Sequence, residues 1–255
     1  MDKGSIGGVI LAIAGIVAGL LIEGGNLGQI LQPTAALIVF GGTMGAVLLQ
    51  FPLSTVLAAF ASLAHVFSAP RKQSDQLLQQ LVAFANKARR NGVVSLDSDL
   101  QTIHDPFLKQ ALMLAVDGTE PAELRKIMRV SLDSTAEIEE RLPAVFESAG
   151  GFSPTIGILG AVLGLIQVMK NLDNIQEVGK GIAVAFVATI YGVGIANLFF
   201  LPFAGKMRIR LRDSHQHREM MLEGVISILE GMNPRMLEVK LAGFLNNPQQ
   251  KGRPA

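Results

Sequence analysis

Within residues 153–169 and 181–203, the side chains able to do chemistry are mild ones: Thr155, Gln167, Thr189, Tyr191 and Asn197. Such hydroxyls and amides can orient an ion or share a hydrogen bond, but none changes its charge near neutral pH. Moving a proton or cation through an apolar interior ordinarily uses an embedded Asp or Glu. Neither stretch contains one, and Glu23 and Asp173 fall at the ends of apolar segments. If ions pass beside these residues, the titratable group has to come from another polypeptide, and Thr189 could set its hydroxyl near it. The local alternative is a Thr189 hydroxyl bonded to the carbonyl one turn earlier in its own helix.

Other chemistry finds little support. The chain has no Cys, which excludes disulfides, thiolate metal sites and thiol nucleophiles. His65, His104, His215 and His217 form no ligand pair at three- or four-residue spacing, so no metal site or other cofactor is expected. No glycine loop followed by Lys-Ser or Lys-Thr is present to cradle a nucleotide. A membrane-embedded hydrolase would need a nucleophile and base at one depth, and the apolar stretches supply no His, Asp or Glu. No enzyme is therefore expected. The net charge of +1, with no basic stripe interleaved with aromatics, gives no sign of nucleic acid.

The elements that must position these residues are apolar helices. Charged residues make up 17% of the chain, against roughly 25% in soluble domains, and the mean hydropathy is +0.41. The deficit is local: residues 5–22, 34–51, 153–169 and 181–203 contain no Asp, Glu, Lys or Arg. Each is about long enough to cross a hydrocarbon core as a helix. The expectation is an all-α, polytopic membrane protein with four transmembrane helices and a large helical cytoplasmic loop. Its parts are 1–68 (spans one and two with an extension), 69–149 (the loop), 150–203 (spans three and four) and 204–255 (a C-terminal helix and tail). A signal peptide is the weaker reading of the first span, because Ala12-Ile-Ala14 is a poor cleavage site and three spans follow.

Orientation follows from the basic residues. Glu23 to Pro33 has none, whereas Arg71, Lys72, Lys87, Arg89 and Arg90 follow span two and Lys206, Arg208, Arg210 and Arg212 follow span four. Lys170 and Lys180 argue the other way but are outnumbered. Both termini are expected in the cytoplasm.

Inside the loop, the periodicity of LLQQLVAFANKARRNG predicts a helix stopping at Gly92, and HDPFLKQALMLAVDG one closing at Gly118. A third opens near Pro121 and keeps an apolar stripe through Leu124, Ile127 and Ile138. Residues 204–231 read as a helix leaving the membrane, and Asn246 to Ala255 as a frayed tail. Ser153-Pro154 reads as a helix start, serine capping free N–H groups and proline filling the first position. Pro202, at the inner edge of span four, is expected to bend its helix.

Small residues line helix faces: Gly8, Ala12, Gly15 and Gly19; Gly157, Gly160 and Gly164; Ala185, Ala188, Gly192 and Ala196. In lipid, close backbone approach between such residues carries association. One or two faces suit packing within the chain; the surplus points to other subunits or a partner's helix.

FSPTIGILGAVLGLI and GIAVAFVATIYGVGIANLFFLPF closely resemble the last two spans of flagellar stator A subunits, the MotA/PomA branch of the MotA/TolQ/ExbB proton-channel family. The likeness covers the whole chain. It implies a bacterial inner-membrane, homopentameric ring around the helices of a single-span, peptidoglycan-binding B-type subunit that brings the conducting Asp. It implies that Pro154 and Pro202 couple ion passage to conformational change and that Thr189 faces the partner carboxylate. Ala161 stands where sodium-driven members carry a threonine; its methyl offers no oxygen ligand, which favours H+ and leaves Na+ as the alternative. In KARRNGVVSLDSDL, Arg89, with Arg90 beside it, and Asp97 match positions that engage the rotor's switch ring, Asp97 being shorter than the usual Glu. On their residues alone these charges read as a solvated helix end. The implied function is coupling of inward proton flow to torque. The alternative within the family is a TolQ/ExbB-type transducer energising outer-membrane processes, which usually has three spans.

Overall fold

The computed structural model describes residues 3–66 and 73–245. Arg71, Lys72 and the expected frayed tail from Asn246 lie outside them. The described residues form helices joined by short turns, without a strand, and four of their helices are long and apolar enough to cross a membrane. The all-α, four-span expectation therefore holds.

The chain divides into two compact units, Met1–Ala69 with Glu140–Ile209, and Pro70–Glu139 with Arg210–Ala255. The first unit holds α1 (Lys3–Ile22), α2 (Pro33–Ala36), α3 (Gly42–Gln50) and α4 (Leu53–Val66). A wide π-type turn, Leu37–Gly41, joins α2 to α3 within one apolar span. Phe51 ends α3 in an extended conformation because proline follows it. The second unit holds α5 (Gln73–Asn91) and α6 (Pro106–Val116). α7 (Pro121–Lys170) contributes to both units, α8 (Ile175–Ile195) belongs to the first, α9 (Leu201–Leu229) again contributes to both, and α10 (Pro234–Leu245) belongs to the second.

Helix ends follow local chemistry. Gly92 and Gly118 terminate α5 and α6 at φ +81° and +82°, a region that only glycine enters without strain. Asp105 caps α6 by accepting from the N–H groups of Phe107 and Leu108, with Pro106 in the first turn. Asn174 caps α8 in the same way.

The expected helix start at Ser153-Pro154 is wrong. α7 runs unbroken for 50 residues with Pro143 and Pro154 inside it, and the Ser153 side chain caps nothing. Flanking helix on both sides and close neighbours hold the backbone, so the loss of one N–H donor does not end the helix. The loop's third helix and the third span are one element. Pro202 is the second residue of α9, directly after a π-type turn, Ala196–Phe200, in which the Leu201 N–H reaches back five residues to the Ala196 carbonyl. The wider turn closes the backbone bonds just before the residue that has no donor.

In the first unit, Val145, Phe146 and Ala149 of α7 pack with Val47, Val56, Ala59, Ala204 and Met207. Ala35 and Val39 pack with Val187 and Ala188 of α8. The second unit has its own core, in which Leu81, Leu96, Leu112, Leu124, Met128 and Ile226 are fully buried. Arg218 forks onto Glu139 with bonds of 3.0 and 2.8 Å, and Glu223 accepts from both Arg125 and Lys240.

Candidate functional site

The glycine-marked face of α7 presses against α8. A Cβ on Gly157 would stand 2.8 Å from the Ala188 carbonyl oxygen and 3.2 Å from Gly192 Cα. On Gly160 it would meet the Ala188 Cβ at 2.7 Å, and on Gly164 the Gly181 oxygen at 2.7 Å and the Ala185 nitrogen at 2.8 Å. Positions rising along α7 meet positions falling along α8, so the helices are antiparallel and nearly backbone to backbone. This is small-residue packing as apolar surroundings require it. By contrast, Gly8, Gly15 and Gly19 of α1 face nothing within 4 Å. The faces of α7 and α8 therefore serve each other within the chain, and that of α1 is open.

The seam fixes where Ala161 and Thr189 point. Gly160 faces Ala188, and each of the two residues lies one step further along its own helix. A step turns a side chain by about 100°. Because the axes are antiparallel, the two turns carry Ala161 and Thr189 to the same side of the pair. Val187, packed on Ala35 and Val39, is turned to the opposite side. Tyr191 also bonds away from the Thr189 side: its hydroxyl donates to the Ile30 carbonyl at 2.5 Å and accepts from the Gln32 N–H at 3.4 Å. Ala161 and Thr189 are each half-buried, beside the exposed Phe186 and Val193. One side of α7–α8 is thus covered by this chain, and the other is bare.

The mild polar groups mostly satisfy themselves. Thr189 donates to the Ala185 carbonyl at 3.2 Å, Thr155 to Phe152 at 2.7 Å and Asn197 to Val193 at 2.9 Å. The local bond expected as the alternative for Thr189 is the one formed. Its hydroxyl oxygen keeps lone pairs free to accept a further bond. Pro154 is half-buried on α7 and Pro202 is exposed. No Asp, Glu, His, Lys or Arg side chain lies on the seam.

The charges expected to meet a partner sit in the second unit. Arg89 and Arg90 occupy the exposed last turn of α5, and Asp97 is exposed on the 3-10 turn Val93–Asp99. That turn is held from below by the fully buried Leu96 and from the side by Lys87, whose ammonium lies 2.6 Å from Asp99 and 2.9 Å from the Ser98 hydroxyl. Sequence reasoning missed the Lys87 contact. It also missed the anchoring role of Tyr191, for which being the one tyrosine of the chain was a signal. Among the described residues no group of three or more His, Asp or Glu could hold a metal.

These features define a multi-pass helical membrane subunit with an uncharged, tightly closed helix pair and one side of it bare. The chain belongs to the MotA/TolQ/ExbB proton channel family, which it matches over residues 99–220, and it matches the motility protein A N-terminal family over residues 6–92. It is 35% identical to the Bacillus subtilis protein named motility protein A, over 96% of this chain and 91% of that one. With motility protein A of Helicobacter pylori strain 26695 it shares 32% identity over 96% and 95% of the two chains. Among solved structures, a chain of C. jejuni MotAB superposes with a TM-score of 0.90 at 33% identity, covering 98% of both chains.

Proposed function

We propose that this chain is the A-type stator subunit of a bacterial flagellar motor, passing protons inward and turning that flow into torque. The observation that carries the reading is the bare side of α7–α8, where Ala161 and Thr189 open together and no titratable side chain is present. A path for protons there requires a carboxylate from elsewhere. A B-type partner's helix, anchored to peptidoglycan, supplies it as an Asp. The solved MotAB structures, one described as a flagellar stator complex from Bacillus subtilis, support such a partnership. Several copies of the chain surround the partner as a homopentameric ring in the inner membrane, with both termini in the cytoplasm, the side that the excess of basic residues favours. Protonation of the partner Asp removes a charge from a medium of low dielectric, a large change in local energy. α7 and α8 repack in response, with Pro154 in α7 and Pro202 at the start of α9 acting as bends where the backbone lacks a donor. Arg89 and Arg90, exposed at the end of α5, and Asp97, exposed on the pinned turn that follows, meet the rotor's switch ring. The methyl of Ala161 favours H+ over Na+.

The test is swimming. Thr189→Val and Pro154→Ala should each abolish it while the protein assembles in the membrane at normal amounts. Normal swimming in both variants would overturn the assignment.

A further inference from the structure

We propose that Thr43 and Ser153 together hold one buried water molecule between α3 and α7. Thr43 is 2% exposed and Ser153 is fully buried, and neither hydroxyl has a hydrogen-bond partner in the protein. Three other hydroxyls on apolar helices, those of Thr189, Thr155 and Ser62, bond back to their own backbone. These two do not, and each adjoins a break in regular helical bonding. Thr43 follows the π-type turn Leu37–Gly41, where the Val39 carbonyl one turn back already accepts from the Gly42 N–H. Ser153 precedes Pro154, which has no N–H to give the Gly150 carbonyl.

The two hydroxyls lie on helices that pack together over the same stretch. A Cβ on Gly42 would meet the Ile156 side chain at 2.8 Å, while Val47 packs with Val145, Phe146 and Ala149. α3 and α7 therefore run antiparallel, with Thr43 between Gly42 and Val47 and Ser153 between Ala149 and Ile156. A buried polar atom is ordinarily bonded to protein or to ordered water. A buried water needs about three polar partners. Two hydroxyls and the Gly150 carbonyl make that number. A neutral water suits them better than a cation, because no carboxylate is near to balance charge.

The site is independent of the stator reading, and its test needs no ion flux. Purified full-length chain in its native membrane assembly is melted as wild type, Ser153→Ala, Thr43→Val and the double variant. If one water links both hydroxyls, each single variant melts about 2–6 °C lower and the double falls no further than the larger single. A high-resolution density map shows a peak within hydrogen-bond reach of both side chains. A rise in melting temperature with either apolar variant would mean the hydroxyls are simply unpaired, and would overturn the proposal. Additive losses, or a wild-type melting temperature that rises with Na+ over K+, would overturn the shared water equally.

Discussion

Gly164→Ala tests the α7–α8 seam at a close backbone contact. The new methyl would lie 2.7 Å from the Gly181 oxygen, 2.8 Å from the Ala185 nitrogen and 3.1 Å from its Cα. All three are main-chain atoms, so no rotamer change relieves them. Normal separation is about 3.5–4.0 Å between carbons, so the helices must part by roughly 0.7–1 Å, forfeiting a quarter to a half of the dispersion energy along the seam. Overpacking of this kind costs about 1–3 kcal/mol. Alanine's better helix propensity offsets about 0.5–1 kcal/mol, leaving a net loss of up to about 2.5 kcal/mol. At about 2–4 °C per kcal/mol for a chain of this size, melting should drop by up to about 10 °C. Gly179→Ala, on the same helix pair but with nothing within 4 Å, is the control and should melt at or slightly above wild type. Far-UV circular dichroism in detergent reads both. Gly164→Ala melting at or above Gly179→Ala would refute the close seam.

Tyr191→Phe removes the bonds to Ile30 and Gln32 and should cost about 1–2 kcal/mol, read as a lower melting temperature with faster proteolysis of the segment before α2. Burial would push the Glu223 carboxyl up, but the hydrogen bonds from Arg125 and Lys240 outweigh it and hold it below its ordinary 4.5. The stability it contributes is present above pH 4.5 and is lost as pH falls through the lowered value, so Glu223→Gln should flatten the acid limb of a pH-melting curve. Burial also lowers His217, against a smaller opposing pull from Asp105, while its Nδ1 lies 3.2 Å from the Ser74 hydroxyl. The neutral ring is therefore favoured on folding, stability should decline as pH drops below 6.5, and His217→Gln should remove that slope.

The four spans were legible because lipid leaves little choice: a charge-free run of sufficient length reads as a membrane helix whatever its neighbours. The ends at Gly92 and Gly118 were equally plain, since a positive φ needs glycine. Ser153-Pro154 misled because the capping rule is local, and it sees neither the helix already formed upstream nor the packed neighbours that hold a proline inside it. The small residues of α1 and α7 look alike in sequence, yet Gly164 abuts α8 while Gly15 faces open space. A pattern gives a face but not what covers it. Tyr191 bonding to Ile30 and Arg125 bonding to Glu223 are contacts across 161 and 98 residues, which no periodicity reports. The bond from Thr189 to its own helix was one of the two readings its sequence offered, and the side it opens on emerged only from the antiparallel seam.

Under the proposed function, the bare, uncharged side of α7–α8 conducts only with a borrowed acid, and flux into sealed vesicles measures that directly. Proteoliposomes holding this chain alone should show no proton entry above that of lipid. Adding a single-span partner with an Asp in its helix should open the path, and replacing that Asp with Asn should close it again. Selective proton flux from the chain alone would contradict the central claim.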